Sequence, residues 1–355
     1  MPTVHQLLAG CRRGDAIGSE ADAIAALCEA HGVPARLWCP RENTAPEELG
    51  RCGDVRALPA AVRPDDVALL HLSIGSPANE VFRALPCRRV VLYHNVTPPR
   101  FYARTNPATA EVLEEGLRQV RALAGSAHAN WAVSRFNADE LLAMGWRDVR
   151  VFPLLVPGCG ARGPVDPRVR ARLSDPPADN LLFVGRLAPN KRHDRLLRIF
   201  RAYQRANPAS RLVLAGRTAG AESYLALLLG MARALELRNV WFTDYLREDE
   251  LAACYATASA FLCASDHEGF CAPLLEAMSW RVPVFAAAAG AVPETLDGAG
   301  VLFAPDAPPE AVAETIARVL RDPALKTAVL EKQDGRLARF HARDAWAELE
   351  EVLFG

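Results

Sequence analysis

Two short runs concentrate the residue types that handle phosphate and sugar hydroxyls. The first is Phe183-Val-Gly-Arg-Leu-Ala-Pro-Asn-Lys191, in which an apolar run ends at Gly185 and two cations, Arg186 and Lys191, follow before a helical pattern. Two cations beside a helix N-terminus make a site for a diphosphate, because orphan N–H groups and the helix dipole add to the side-chain charges. A solvated basic loop is the competing reading, since Arg192, Arg195 and Arg198 follow closely. The second run is Ser265-Asp-His-Glu-Gly-Phe-Cys-Ala-Pro-Leu-Leu-Glu276. Glu268 falls directly after an apolar run at 260–263, Gly269 admits close backbone approach, and Pro273 suits the first turn of a helix. Glu276 then sits one turn inside that helix. A loop carboxylate and a helix carboxylate so spaced can both accept hydrogen bonds from one polyhydroxylated ligand. Here the competing reading is a helix-start acid at Glu268 and a surface acid at Glu276.

Strands must carry these loops. Short apolar runs at 35–39, 67–73, 89–94, 129–133 and 149–152, and again at 181–184, 211–215, 240–242, 260–263, 284–287 and 300–303, alternate with helical patterns such as 19–31, 109–124 and 137–144. That alternation predicts an α/β protein with parallel sheets. Between about 156 and 180 the pattern dissolves into Gly, Pro, Asp and Arg, which reads as a linker. The expected organisation is a first domain over 1–160, a linker over 161–179, a second domain over 180–335, and a helix over 336–355. That helix is amphipathic, with Trp346, Leu349 and Leu353 on one face. Two such domains predict a cleft with ligands beyond the carboxyl ends of the strands.

Composition bounds the function. Of 355 residues, 50% are hydrophobic and 23% charged, which is ordinary for a globular protein. A net charge of −1 argues against nucleic acid as a partner. Nine scattered cysteines without a CxxC pair read as free thiols in a reducing compartment. No leader pattern and no apolar run of the ~20 residues that span a bilayer is present, so a cytoplasmic protein is expected, with contact at the inner membrane face left open. His193 and His267 have no neighbour at ligand spacing and no Asp-x-Asp occurs, so no metal is expected.

The run from Ser265 to Glu276, continuing through Ala277-Met-Ser-Trp-Arg-Val-Pro-Val284, resembles the Glu-x7-Glu segment of family 4 retaining glycosyltransferases. Gly185-Arg-Leu with Lys191, Leu214-Ala-Gly216, Leu246-x4-Leu251-x3-Tyr255, Gly290-Ala-Val-Pro-Glu294 and Gly300-Val-Leu-Phe303 follow that family's order. Gly14-Asp-Ala-Ile-Gly18, Tyr93-His-Asn-Val-Thr-Pro-Pro99 and Val133-Ser-Arg-Phe-Asn137 are similar to a bacterial cell-surface polysaccharide subgroup. The resemblance implies a GT-B fold: two Rossmann-like parallel-sheet domains facing across a cleft, with the last helix crossing back to the N-terminal domain.

The same resemblance implies the roles. Arg186 and Lys191 would bind the donor diphosphate, Glu276 the ribose, and Glu268 the transferred sugar. Backbone amides at Gly269, Phe270 and Cys271 would hold hydroxyls or phosphate, and Leu275 would belong to the same donor wall. His94 would line the sugar pocket, against the bland alternative of a histidine bonded to backbone at a strand end. Gly18 would approach the diphosphate. Many members carry Gly-Gly in that loop where this chain has Ile17-Gly18-Ser19. Ser19 then reads as helix cap and phosphate ligand together. Base selectivity would rest near Gly216, Arg217, Asp244 and Tyr245. Cys271 reads as a packing residue.

The implied reaction moves a hexose, of mannose or glucose type, from a GDP- or UDP-sugar with retention and without metal. The acceptor would be a saccharide or a polyprenyl-diphosphate-linked saccharide. Arg83, Arg88, Arg89, Arg100 and Arg104, with Phe82, Phe101 and Tyr102, read either as a basic, apolar membrane-facing surface or as ordinary solvated arginines. A non-catalytic nucleotide-sugar-binding protein and a GT-B-like sugar epimerase are the alternatives. A dinucleotide oxidoreductase is disfavoured, because Gly158-Cys-Gly-Ala-Arg-Gly163 lies in the expected linker and runs into Pro164.

Overall fold

A computed structural model describes residues 2–12, 14–156 and 162–355. Cys159 and most of the Gly158–Gly163 run lie outside the described residues. The chain forms two compact units. One comprises Met1–Arg100, Pro107–Pro157 and Arg343–Gly355, the other Phe101–Asn106 and Gly158–Ala342.

The first unit is built on seven parallel strands: β1 (Val4–Leu7), β2 (Ala35–Cys39), β3 (Cys52–Asp54), β4 (Val67–Leu72), β5 (Arg88–Tyr93), β6 (Ala129–Ala132) and β7 (Val149–Val151). Their order is β3-β2-β1-β4-β5-β6-β7. The second unit has β8 (Asn180–Val184), β9 (Arg211–Ala215), β10 (Val240–Phe242), β11 (Ala260–Cys263), β12 (Val284–Ala287) and β13 (Val301–Phe303) in the order β10-β9-β8-β11-β12-β13. Each sheet therefore reverses direction once, between β1 and β4 and between β8 and β11. Such switch points open a crevice beyond the strands' carboxyl ends.

Two strands have no counterpart in the apolar pattern. β1 reads Val-His-Gln-Leu, yet all four residues are buried, because its polar side chains are bonded internally. Trp38 Nε1 donates to His5 Nδ1 (3.0 Å), and His5 Nε2 lies 3.3 Å from the Asp66 carboxylate. Gln6 bonds to Ala21 and His71. β3, Cys-Gly-Asp, is an edge strand in which a Cβ on Gly53 would sit 2.7 Å from the Trp38 ring.

The expected linker 161–179 holds a helix instead, Pro167–Ser174, which belongs to the second unit. Asp166 accepts from Arg168 N and Val169 N, and Pro167 takes the first helical position, so Asp-Pro is here a helix start. Leu173 is buried, and the Arg172 guanidinium stacks 3.8 Å from the Trp241 ring. The single helix expected over 336–355 is two. Pro323–His341 stays with the second unit. Asp344 then caps Ala345–Phe354, which packs in the first unit through Leu349, Val352 and Leu353, with Trp346 stacked on His31 at 4.1 Å.

In the second unit the β8 and β9 ends approach so closely that a Cβ on Gly216 (φ +153°) would lie 2.1 Å from the Gly185 carbonyl oxygen. Gly216→Ala should therefore cost about 2–4 kcal/mol in urea unfolding. Gly230→Ala, mid-helix with nothing within 4 Å of the added methyl, should instead gain about 0.5–1 kcal/mol.

Glu20 gives a pH prediction for the first unit. Its carboxyl is buried, one oxygen accepts from Leu155 N at 2.9 Å, and the other has no partner among the described residues. Burial raises its pKa from 4.5 to about 7. The folded state thus holds a proton that the unfolded chain has lost above pH 4.5. Stability should fall as pH rises from about 4.5 to 7, by up to about 3 kcal/mol, and then level off. Calorimetry of Glu20→Gln across that window should show the slope flattened.

Candidate functional site

The loops that follow β8 and β11, the two strands at the switch point of the second sheet, are bound to each other along their length. Asp266 N donates to Asn190 O (2.9 Å), Asn190 Nδ2 to His267 O (3.1 Å), and Arg192 Nη1 to the Asp266 carboxylate (2.7 Å). Between them Lys191 Nζ donates to Glu268 Oε2 at 2.6 Å. The lysine side chain is 20% exposed and the glutamate 6%, so the lysine is the more accessible member of the pair. Desolvation pulls the Lys191 pKa down, but the adjacent Glu268 carboxylate outweighs it and the net shift is upward. The lysine is charged at neutral pH.

Glu268 is fixed from behind by its own backbone. Ala291 N donates to Glu268 O (2.9 Å), and a Cβ on Gly290 (φ +56°) would lie 2.5 Å from that oxygen. Beyond Glu268, Gly269 is half-buried and Phe270 is buried, its carbonyl accepting from Thr295 Oγ1. Cys271 takes a left-handed conformation (φ +71°), which turns the chain into the helix Pro273–Ser279. Leu275 is fully buried in that helix, and its N–H bonds to Ala272 O. Its side chain is therefore part of the core. Glu276, one turn in, accepts from Tyr255 OH at 2.6 Å; burial raises its pKa and the tyrosine bond opposes the rise.

A second group lies beyond β9 and β10. Gly216 bridges Asp244, Thr218 N and Oγ1 donate to the Asp244 carboxylate (2.8 and 3.1 Å), and Arg217 stacks 4.1 Å from the Tyr245 ring. Asp244 and Tyr245 are exposed, as is Arg186.

Cys263, Glu268 and Cys271 offer ligand atoms within 4.8 Å of one another. Two thiols and a carboxylate suit a soft divalent ion. However, Glu268 already neutralises Lys191, so an ion and the ammonium would compete for one carboxylate. The neighbouring Cys263 thiol and burial hold the Cys271 thiol well above its ordinary range, which leaves it protonated and a poor nucleophile.

In the first unit Gly18 is in the first turn of the helix Ala16–Ala30, not in the preceding loop. Asp15 is the N-cap and accepts from Gly18 N (3.4 Å), so Ser19, exposed within the helix, is not the cap. Gly14 (φ +76°) turns the chain so that the acid takes that position. His94 follows β5, half-buried, with Nε2 2.9 Å from His71 Nδ1. Beside it Asn95 (φ +88°) donates to Asn137 Oδ1 and to the Glu140 carboxylate. Of the residues read either as a membrane-facing surface or as solvated arginines, Phe82 and Tyr102 are core residues and Arg88 and Arg89 donate to the carbonyls of Gly355 and Arg83, while Arg83, Arg100 and Arg104 are exposed. Asn190, Tyr255, Gly290, Gln6 and His71 are structural partners of the site residues that motif reading left without a role. Their bonds join positions far apart in sequence, which no local pattern shows.

The family described as Glycosyl transferases group 1 matches residues 169–334. A D-inositol 3-phosphate glycosyltransferase of Kineococcus radiotolerans is 34% identical over 176 residues, 45% of this chain and 40% of that protein. A GDP-mannose-dependent alpha-mannosyltransferase of Mycobacterium tuberculosis is 29% identical over 276 residues, 73% of this chain and 64% of that protein. The chain thus spans about half the length of the curated relatives it matches. Sucrose-phosphate synthase from Thermosynechococcus elongatus superposes with a TM-score of 0.76 over 99% of this chain and 98% of that one, at 18% identity. Residues 169–334 are accordingly a domain of the glycosyl transferases group 1 family, within the two Rossmann-like parallel-sheet domains of a GT-B fold.

Proposed function

We propose that this chain is a retaining hexosyltransferase that takes its sugar from a GDP- or UDP-hexose, of mannose or glucose type, and needs no metal. The observation that carries the reading is the Lys191–Glu268 pair at the β8/β11 switch point. An ammonium has three N–H donors and Glu268 engages one, which leaves two for the diphosphate oxygens. Lys191 keeps its carboxylate partner while it neutralises charge on the departing nucleoside diphosphate, the work a divalent ion does elsewhere. Exposed Arg186 supplies a second cation from the same loop. Glu276, oriented by Tyr255, has its remaining lone pairs for ribose hydroxyls. Glu268 and the Gly269-Phe270-Cys271 backbone address the transferred sugar, and Arg217, Asp244 and Tyr245 the base. Gly18 in the first unit remains our assignment for phosphate contact, and His94 our assignment for the sugar.

The acceptor in this reading is a saccharide, free or polyprenyl-diphosphate-linked, reached at the inner face of the membrane in the second case. No helix among the described residues is long and apolar enough to cross a membrane. Both relatives named above transfer sugars according to their names, which supports the reaction class.

Thermal unfolding with UDP, GDP, ADP, TDP and their common sugar conjugates, with and without chelator, tests the donor site. One nucleotide should stabilise the protein by about 2.7 kcal/mol at a hundred times its Kd, equally in chelator. Glu276→Ala should abolish that stabilisation. Lys191→Ala should lower kcat by about two to three orders of magnitude. Undiminished turnover in Lys191→Ala, or no response to any nucleotide, removes the assignment.

A further inference from the structure

Gln6, His71 and His94 form one hydrogen-bonded chain across β1, β4 and the end of β5. Gln6 Nε2 lies 2.8 Å from Ala21 O, Gln6 Oε1 lies 2.8 Å from His71 Nε2, and His71 Nδ1 lies 2.9 Å from His94 Nε2. Gln6 and His71 are buried. The Ala21 carbonyl can only accept, so it fixes which end of the Gln6 amide faces it. The amide oxygen therefore faces His71, and it too can only accept, so His71 Nε2 carries a hydrogen. In a neutral ring the other nitrogen is then an acceptor, and His94 Nε2 must donate to it. That leaves His94 Nδ1 as a lone pair, with no partner among the described residues. Reversing the chain would set the Gln6 and Ala21 oxygens, two acceptors, against each other at hydrogen-bond distance. Burial keeps both rings neutral: it lowers the His71 pKa to about 3, and burial with the neighbouring His71 lowers that of His94 well below its ordinary value.

We propose that Gln6 and His71 are positioning residues that hold His94 as its Nε2–H tautomer, so that Nδ1 accepts a hydrogen bond from a hydroxyl of the bound sugar. The polarity of the chain selects the ligand group. A hydroxyl can donate to Nδ1, whereas a phosphate or carboxylate oxygen would meet lone pair with lone pair. The tautomer follows from the hydrogen bonds of two neutral buried rings; only the identity of the hydroxyl as a sugar's rests on the function proposed above.

Long-range proton–nitrogen correlation spectra of the full chain labelled with 15N-histidine test the first half. Loss of one histidine's signals in His94→Asn assigns the ring. In the wild-type protein His94 should show a protonated Nε2 and an unprotonated Nδ1. Gln6→Leu, which frees His71 to turn over its tautomer, should populate the Nδ1–H form of His94. A His94 found as Nδ1–H or as imidazolium in the wild type overturns the proposal, whether or not Gln6→Leu folds. Transfer assays with deoxyfluoro nucleotide sugars test the second half, since fluorine cannot donate. One position should lose about tenfold or more in kcat/KM, the value of a single hydrogen bond. That loss should shrink in His94→Asn. Full activity of every deoxyfluoro donor overturns the hydroxyl assignment. Absence of turnover with all nucleotide sugars removes the proposed function instead, and the tautomer spectra still decide the relay.

Discussion

A charged lysine and a charged glutamate cannot be buried apart, and the second unit is arranged around keeping Lys191 and Glu268 together. Removing one member of such a pair strands the other and typically costs about 3–5 kcal/mol. The pair itself contributes much less than that, because desolvation offsets most of its attraction. Its surroundings show what holding it requires. The β8 loop is tied to the β11 loop by the two bonds that join Asn190 to Asp266 and His267, and by the Arg192–Asp266 ion pair. The β12 loop comes up beneath Glu268 at Gly290, where no side chain fits. Three consecutive strand ends are thus committed to placing one ammonium at the mouth of the sheet.

Glu276 is set up differently. Among the described residues its partner is a phenol and not a cation, and burial favours its neutral form while the Tyr255 bond favours the charged one. A carboxyl poised in this way suits neutral hydroxyls better than phosphate. Lys191 suits the opposite. The two carboxylates that looked equivalent by spacing therefore differ in chemistry: Glu268 is the counter-ion of Lys191, and Glu276 is bonded to a phenol, which suits it to the hydroxyl contact proposed above.

Much of this fold was legible because fully buried parallel strands are written as uninterrupted apolar runs, such as Val284–Ala287 or Ala260–Cys263. β1 was not, because two of its four residues are polar and are satisfied by partners 15 to 65 positions away. The 161–179 stretch failed for another reason. Its Pro, Asp and Arg are what loops contain, but Asp166-Pro167 in that order is also a helix start. The loops bearing Lys191 and Glu268 were legible from strand ends and glycines. Their contact was not, since 77 residues separate them. Phe82 and Tyr102 looked available for a membrane surface because exposure is not written locally; the core took both.

The polar residues of β1 also distinguish structural polarity from functional polarity. His5 and Gln6 are neighbours on one strand and point to opposite faces of the sheet. The His5 network closes on itself: Trp38 donates in, and Asp66 receives at the far end, held there by Thr3 N and the Arg63 backbone and guanidinium. Every strong donor and acceptor in it finds a mate inside the protein, which is what a buried network needs if it serves only the fold. The Gln6 network begins the same way, on a backbone carbonyl, but it ends on a ring nitrogen at the carboxyl end of β5, where the backbone turns through Asn95 in a left-handed conformation. A core built only for stability would replace such a chain with apolar side chains at little or no cost. This relay starts satisfied and ends on the His94 ring at the carboxyl end of β5, where our proposal places a sugar hydroxyl.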